Sequence, residues 1–304
     1  MQITSGPRPR TGLSVRLPAG EIVGLLETRI ANCGRHVPRN EIVVAVQNSI
    51  GCAWQPCGSS SPFKPAGVSK WPEKNLERIE AICAEGYGLA DLWELSPLRI
   101  EDNETHAEEI VDRLFPNNPL LCCGRSQSDF DTRPRQQWRG ELAQLQFIVP
   151  SPMSDLTGLT KEGKVSAHAL ANTGPRRFLV VECDFSIHAR DGKTETKVAP
   201  MIRKLTAQGF SVSDMCAAVL LHLAQFAPMV CALSSGGKSV HGWFYVQGQP
   251  EEKLFRFMRY AVSLGGDPVG WTRSQFMRMP DGTRDNGNRQ TVFFVSFKPI
   301  EAKQ

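Results

Sequence analysis

RRFLVVECDF, residues 176–185, is the stretch on which the fold turns. From Phe178 onward it is apolar except at Glu182 and Asp184. A strand covered on both faces reads this way, so the stretch predicts a central strand. SVSDMCAAVLLHLAQFAP (211–228) follows at helical spacing, with Ser213 as candidate N-cap and Pro228 as a stop. MVCALS (229–234) and SVHGWFYVQ (239–247) read as strands. PEEKLFRFMRYAVSLGG (250–266) is a helix with acids in its first turn and Gly265 after its last. SQFMRMP (274–280) and RQTVFFVSF (289–297) are strands flanking the turn DGTRDNGN (281–288). This order predicts an α+β domain, an open sheet with helices packed on one face.

Upstream the pattern is different. Residues 1–19 read as a flexible arm, and helices are expected at 20–34, 38–50, 73–85 and 105–115. QPCGSSSPFKPAGVSKWP (55–72) reads as a loop. From Pro119, PLLCCG and LAQLQFIVP look like short buried strands, separated by the polar, arginine-rich GRSQSDFDTRPRQQWRG (124–140). Residues 151–175, rich in Gly, Ser and Thr, read as a long ordered loop. The expected division is a helical accessory region over 1–118 and a second domain over 119–304, the latter made of an α/β module (119–175) and a sheet module (176–297). No internal repeat is visible.

The chain has 304 residues, 41% hydrophobic and 22% charged, an ordinary globular composition. No run of about 18 apolar residues occurs, so no membrane span or signal peptide is expected. Nine cysteines, an odd number without a CxxC pair, point to reduced core thiols in a cytoplasmic protein rather than a zinc cluster. The net charge of +4 is uneven. Residues 1–150 carry 16 − 18 = −2 and residues 151–304 carry 19 − 13 = +6, so the C-terminal half suits a polyanionic partner.

Glu182 and Asp184 lie two apart on a strand, so both side chains leave the same face. Paired acids beside apolar residues repel each other and lose hydration, and a divalent cation such as Mg²⁺ or Mn²⁺ relieves both costs. A solvent-exposed strand end would carry two acids just as easily. Ser239 and His241 share a face for the same reason. The Gly236-Gly237 turn ahead of them lets backbone N–H groups approach a ligand, and Lys238 adds charge, a combination suited to a triphosphate. The spacing is not that of a P-loop. Arg278, between Met277 and Met279, calls for an anionic partner, whereas Arg284 and Arg289 sit in or beside a turn where solvation alone would account for them.

Taken together, VVECDF, SSGGKSVHGWF, LGGDP and QFMRMPDGTR resemble the motifs of the archaeo-eukaryotic primase superfamily, in particular the primase-polymerases of mobile elements and phages. The resemblance covers about residues 176–297. Glu182 stands where Asp is commoner, and the third acid fits Asp267 best, with Asp281 and Asp285 nearby. The resemblance implies an RRM-like mixed sheet joined to a small α/β module. It implies template-dependent nucleotidyl transfer, priming or extending on single-stranded DNA, with a primer strand and nucleoside triphosphates as further partners and a replicative helicase alongside. Glu182, Asp184 and Asp267 would be catalytic and hold two ions, Mg²⁺ or Mn²⁺. Lys238, Ser239, His241, Arg278 and Arg284 would bind the nucleotide. The template would run over the basic half and touch Arg133, Arg135 and Arg139. Trp138 or Trp243 would be available to stack a base, although core packing suits Trp243 better. A metal-dependent nuclease or phosphohydrolase, and an inactive nucleic-acid-binding replication protein, are the alternatives.

Overall fold

The computed structural model describes residues 71–100, 104–189 and 191–302, with residues 23, 24, 26, 27, 39, 42 and 43. The chain divides into two compact units, Met1–Pro62 and Phe63–Gln304. The arm at 1–19 and nearly all of the helices expected at 20–34 and 38–50 and of the loop at 55–72 lie outside the described residues.

The second unit is α+β, and its frame is an antiparallel sheet of four strands. These are β6 (Phe178–Cys183), β7 (Met229–Ser234), β8 (Val240–Tyr245) and β10 (Val292–Val295), in the order β10-β7-β8-β6. Between β6 and β7 run α4 (Ala199–Ala207) and α5 (Val212–Ala224), and α6 (Glu251–Ser263) follows β8. The succession is strand, helices, strand, strand, helix, strand, with β8 inserted between β6 and β7 as in a split βαβ unit. The stretch 178–183 is therefore the last strand of the order rather than a central one. It reads as central because its outer edge is covered. Cys183 bridges Gly266, and the Asp267 N–H donates to the Glu182 carbonyl at 2.9 Å.

Alternation along β6 divides the interior in two. Leu179, Val181 and Cys183 face a core built with α1 (Leu76–Cys83), α2 (Leu89–Glu94), α4, α5 and α6. Phe178 and Val180 face a second core with Trp243, Tyr245 and α3 (Ala107–Leu114). That second core is closed by a smaller antiparallel sheet, order β2-β1-β3-β9, from β1 (Leu120–Gly124), β2 (Phe130–Pro134), β3 (Phe147–Ile148) and β9 (Met277–Arg278). A short hairpin, β4 (Gly158–Leu159) with β5 (Val165–Ser166), stands in the segment expected to be loop, and α7 (Lys298–Glu301) ends the described chain. Burying a large apolar side chain stabilises by about 1.5–3 kcal/mol, so both cores matter to the fold. Residues of α1, α2 and α3 are embedded in them, so packing crosses the boundary expected at 118/119.

Three local readings change. The polar stretch 124–140 contains β2, paired with β1 from Gly124↔Phe130 to Leu120↔Pro134; an outer strand with one polar face shows no apolar run. The second strand expected in that region shrinks to Phe147–Ile148, because Leu142–Gln144 coils into a 3₁₀ turn. Ser211, not Ser213, caps α5: its hydroxyl accepts from the Asp214 N–H while the Asp214 carboxylate accepts from the Ser211 N–H, a capping box. Gly242 lies on the helix-facing side of β8, where a Cβ would meet Leu220 Cδ2 at 2.6 Å. Among the described residues no single helix is long and apolar enough to cross a membrane. The six described cysteines are free and buried, and burial pushes the Cys83 thiol up to about 11 and that of Cys122 to about 12.

Candidate active site

β6 and β8 pair in a register that sets Glu182 directly opposite His241. On the other side of β6, the bridge Cys183↔Gly266 and the hydrogen bond from Asp267 bring Asp267 opposite Glu182. Directly opposed residues of antiparallel backbones share a face, so His241, Glu182 and Asp267 form one row. The pairing ends at Cys183↔Val240, so Asp184 lies just past the end of β6 and Ser239 just ahead of β8. The row lies on the sheet face turned away from α4, α5 and α6, where the apolar packing of Phe178, Val180 and Trp243 gives out.

The Ser239 hydroxyl donates to Glu182 Oε1 at 3.0 Å, and His241 Nε2 lies 3.5 Å from the same oxygen and 3.4 Å from Ser239 Oγ. His241 is 2% exposed, and its Nδ1 has no hydrogen-bond partner among the described residues. Burial by itself would raise the Glu182 pKa. The hydrogen bond and charge of His241, the Ser239 hydroxyl and the more distant Arg278 outweigh it and hold the carboxyl at about 2. Glu182 is thus a part-buried carboxylate kept ionised by donors.

Asp184 is exposed and stands between two clefts, of ≈ 820 Å³ beside Gly237 and Lys238 and ≈ 510 Å³ beside Lys74 and Lys197. Asp267 caps the 3₁₀ turn Pro268–Trp271, its Oδ1 accepting from the Val269 N–H at 2.8 Å. Hard carboxylate oxygens suit Mg²⁺ or Mn²⁺, so the donor chemistry fits. Among the described residues, however, no group of three or more His, Cys, Asp or Glu side chains converges as a metal centre. The three expected acids lie along one row and one strand end rather than in a closed cage.

The basic residues divide. Gly236 takes φ 71°, and the Arg284 side chain lies along the Gly236-Gly237 turn: a Cβ added at Gly236 would meet Arg284 Cδ at 3.0 Å, and one at Gly237 its Nη1 at 3.1 Å. Neither Arg284 nor the exposed Lys238 has an acid partner among the described residues. Arg278, on β9, donates to Gln146 Oε1 at 2.9 Å and stacks over Phe147 at 4.8 Å. Desolvation lowers its pKa, and Arg284 presses the same way while Glu182 opposes. Glu182, Arg278 and Arg284 therefore act within one electrostatic neighbourhood. Lys238 and Asp184 border one cleft.

Other residues fall elsewhere. Asp281, 1% exposed at φ 60°, is held by Arg289 at 2.7 and 3.0 Å and by the His106 N–H at 2.6 Å. It is a structural anchor, which removes it as a third acid, and Arg289 is a clamp rather than a solvated turn residue. Arg133 stacks on Trp138 and pairs with Asp131 and Glu141, while Arg135 and Arg139 pair with Asp112. Trp138 is buried and donates to the Leu121 carbonyl, so it offers no face to a base. Trp243 is fully buried in the second core. Sequence reasoning missed Gln146, which orients Arg278 from another strand and carries no motif signal. No family model, no curated protein and no solved structure matches the chain.

Proposed function

We propose that the protein is a nucleotidyltransferase, a template-dependent DNA primase or polymerase of the archaeo-eukaryotic primase type that acts on single-stranded DNA in the cytoplasm. The observation that carries this reading is the row His241–Glu182–Asp267, with Ser239 on Glu182 and the cations Arg278, Arg284 and Lys238 around it. Phosphoryl transfer asks a protein mostly for positioning and charge neutralisation, and this face offers acids and cations with little else between them. Mg²⁺ or Mn²⁺, two ions held by Glu182, Asp184 and Asp267, would supply the neutralisation at the transferring phosphorus. Ser239 and His241 orient the Glu182 carboxylate. Lys238, Arg278 and Arg284 neutralise the triphosphate, with Arg284 spread over a turn whose glycines admit close approach. The split βαβ succession supports the RRM-like description of the sheet.

The test is incorporation of labelled nucleotides on a single-stranded DNA template with Mg²⁺ or Mn²⁺, with and without an annealed primer, beside a Glu182→Ala/Asp184→Ala control. Product absent from the control is expected, and product without primer makes the enzyme a primase. Shortening of the template without incorporation replaces this reading with a nuclease.

A further inference from the structure

The small sheet has an outer face of which the proposed function uses only Arg278. One register row crosses all four of its strands: Phe130 on β2, Gly124 on β1, Phe147 on β3 and Arg278 on β9. Opposed residues share a face, so Phe130, Phe147 and Arg278 line one side of the sheet, away from the second core. Phe276 bridges the two phenylalanines, with ring centroids 5.5 Å from Phe130 and 5.7 Å from Phe147. His168 lies stacked on Phe276 at 3.9 Å and 26°, and its Nε2 meets the Ser274 carbonyl. Phe130, Phe147 and His168 are each only part-buried, so the stripe is in reach of solvent.

Arg278 closes the stripe at the Glu182 end. Arg273 directly precedes Ser274, whose carbonyl meets His168; it has no acid partner among the described residues, and its buried Nε has no acceptor. Its neighbour Arg176 already takes up Glu251, and the charge of Arg273 lowers the Arg176 pKa further, after desolvation. Phe276 is buried with Cys122, Val149 and Met153, and Phe130 and Phe147 pack against that cluster while keeping part of their surface in reach of solvent. Alternating aromatic faces and cations is how proteins hold a strand whose bases are unstacked.

We propose that this stripe is a lane for single-stranded nucleic acid, with bases stacking on Phe147 and Phe130 and phosphates on Arg278 and Arg273. A duplex, its bases already stacked, has nothing to offer the rings. The lane deepens the proposed function by leading a strand toward Glu182, but its binding chemistry stands apart from turnover.

The experiment is fluorescence anisotropy of the full chain with labelled oligothymidylate, oligouridylate, a duplex of equal length, and an abasic strand of the same length and charge. Phe147→Leu and Phe130→Leu keep apolar volume while removing the π face, and Phe147→Tyr restores it; circular dichroism and melting verify that each variant is folded. Oligothymidylate or oligouridylate is expected to bind about tenfold more tightly than the abasic strand, and the leucine variants to erase that margin. Phe147→Tyr is expected to restore it, and Arg273→Gln to flatten the salt dependence by about one phosphate contact. Base-containing and abasic strands bound equally by the unaltered chain, or leucine variants that keep the margin, overturn the lane. Nucleotide incorporation with wild-type-like leucine variants would leave the enzyme reading standing without the lane. A stacking margin without incorporation would leave the lane without the enzyme.

Discussion

Glu182 and Asp184 differ in what they cost the fold. Asp184 is exposed and makes no hydrogen bond among the described residues, so Asp184→Ala is expected to melt within about 0.5 kcal/mol of the wild type while abolishing synthesis. Unimpaired incorporation by that variant would remove Asp184 from the metal set. Glu182 is tied to Ser239 and His241, and its folded pKa of about 2 lies below the ordinary 4.5. The sign follows from linkage: the stabilisation is full above about pH 5 and drains away as acidification carries the folded carboxyl toward protonation. Glu182→Gln is therefore expected to lose at most about 3 kcal/mol at pH 7 and less at pH 3. Urea melts at both pH values check this, and an unchanged gap would mean that the donors do not favour the ionised form. At this scale the site was legible in one respect, the shared face of Ser239 and His241. It was illegible in another: Asp281 and Asp267 look alike in sequence, and only tertiary contact makes one an anchor and the other a neighbour of Glu182.

Among elements, Asp214 joins two helices. One carboxylate oxygen accepts from the Leu89 N–H at the start of α2, and the other from Ser211 at the start of α5. Asp214→Ala is expected to cost about 1–2 kcal/mol, since a cap is lost at two N-termini and the part-buried Leu89 N–H is stranded. Glu at this position would not compensate, because Gly88 leaves only the space its neighbour requires: a Cβ there would meet Asp214 Oδ1 at 2.7 Å. A denaturation midpoint equal to wild type would show the caps to be idle. The long, strongly patterned elements β6, α5, β7, β8 and α6 were readable from sequence because periodicity and stop signals agree over many residues. β9 and β3, two residues each, were over-extended by the same rule, since a continuous apolar stretch such as QFIVP (146–150) has no period that marks where pairing stops. Helix α2 and helix α4 were not foreseen, the first being only Leu89–Glu94 and the second lying in a loop-like, polar context.

For the molecule, stability is held by contacts between distant parts of the chain. Buried Asp281 receives Arg289 and the His106 N–H together, tying the start of α3 to the turn after β9. Arg289→Ala would leave a buried carboxylate without its counter-charge, a loss of about 3–5 kcal/mol. In a domain of this size that lowers the melting temperature by about 10 °C, which calorimetry reads directly. The interleaving also governs truncation. A chain beginning at Phe63 is expected to unfold in one cooperative transition. One beginning at Pro119 lacks Ile79, Ile82 and Leu92 from one core and Ile110 and Leu114 from the other, and is not expected to fold. A soluble, sharply melting product from Pro119 onward would restore the boundary at 118/119. Amphipathic helices show one apolar face whether it meets a partner or the rest of their own chain, so sequence alone does not separate an accessory region from a buttress of the core.

The contact of Gly242 with Leu220 has a consequence for how this site tolerates length changes. Side chains on β8 alternate, so a slip of one residue against β6 would move Ser239 and His241 beneath α5 and bring valine and glycine into the cleft. It would also wedge His241 or Trp243 into a space that admits no Cβ. The glycine thus acts as a key that only one alignment fits, and folding is proofread by helix packing rather than by the loop. An insertion of one residue among 235–238 can be absorbed by the turn, whereas one between 240 and 245 has to choose between losing the core and losing the row that faces Glu182.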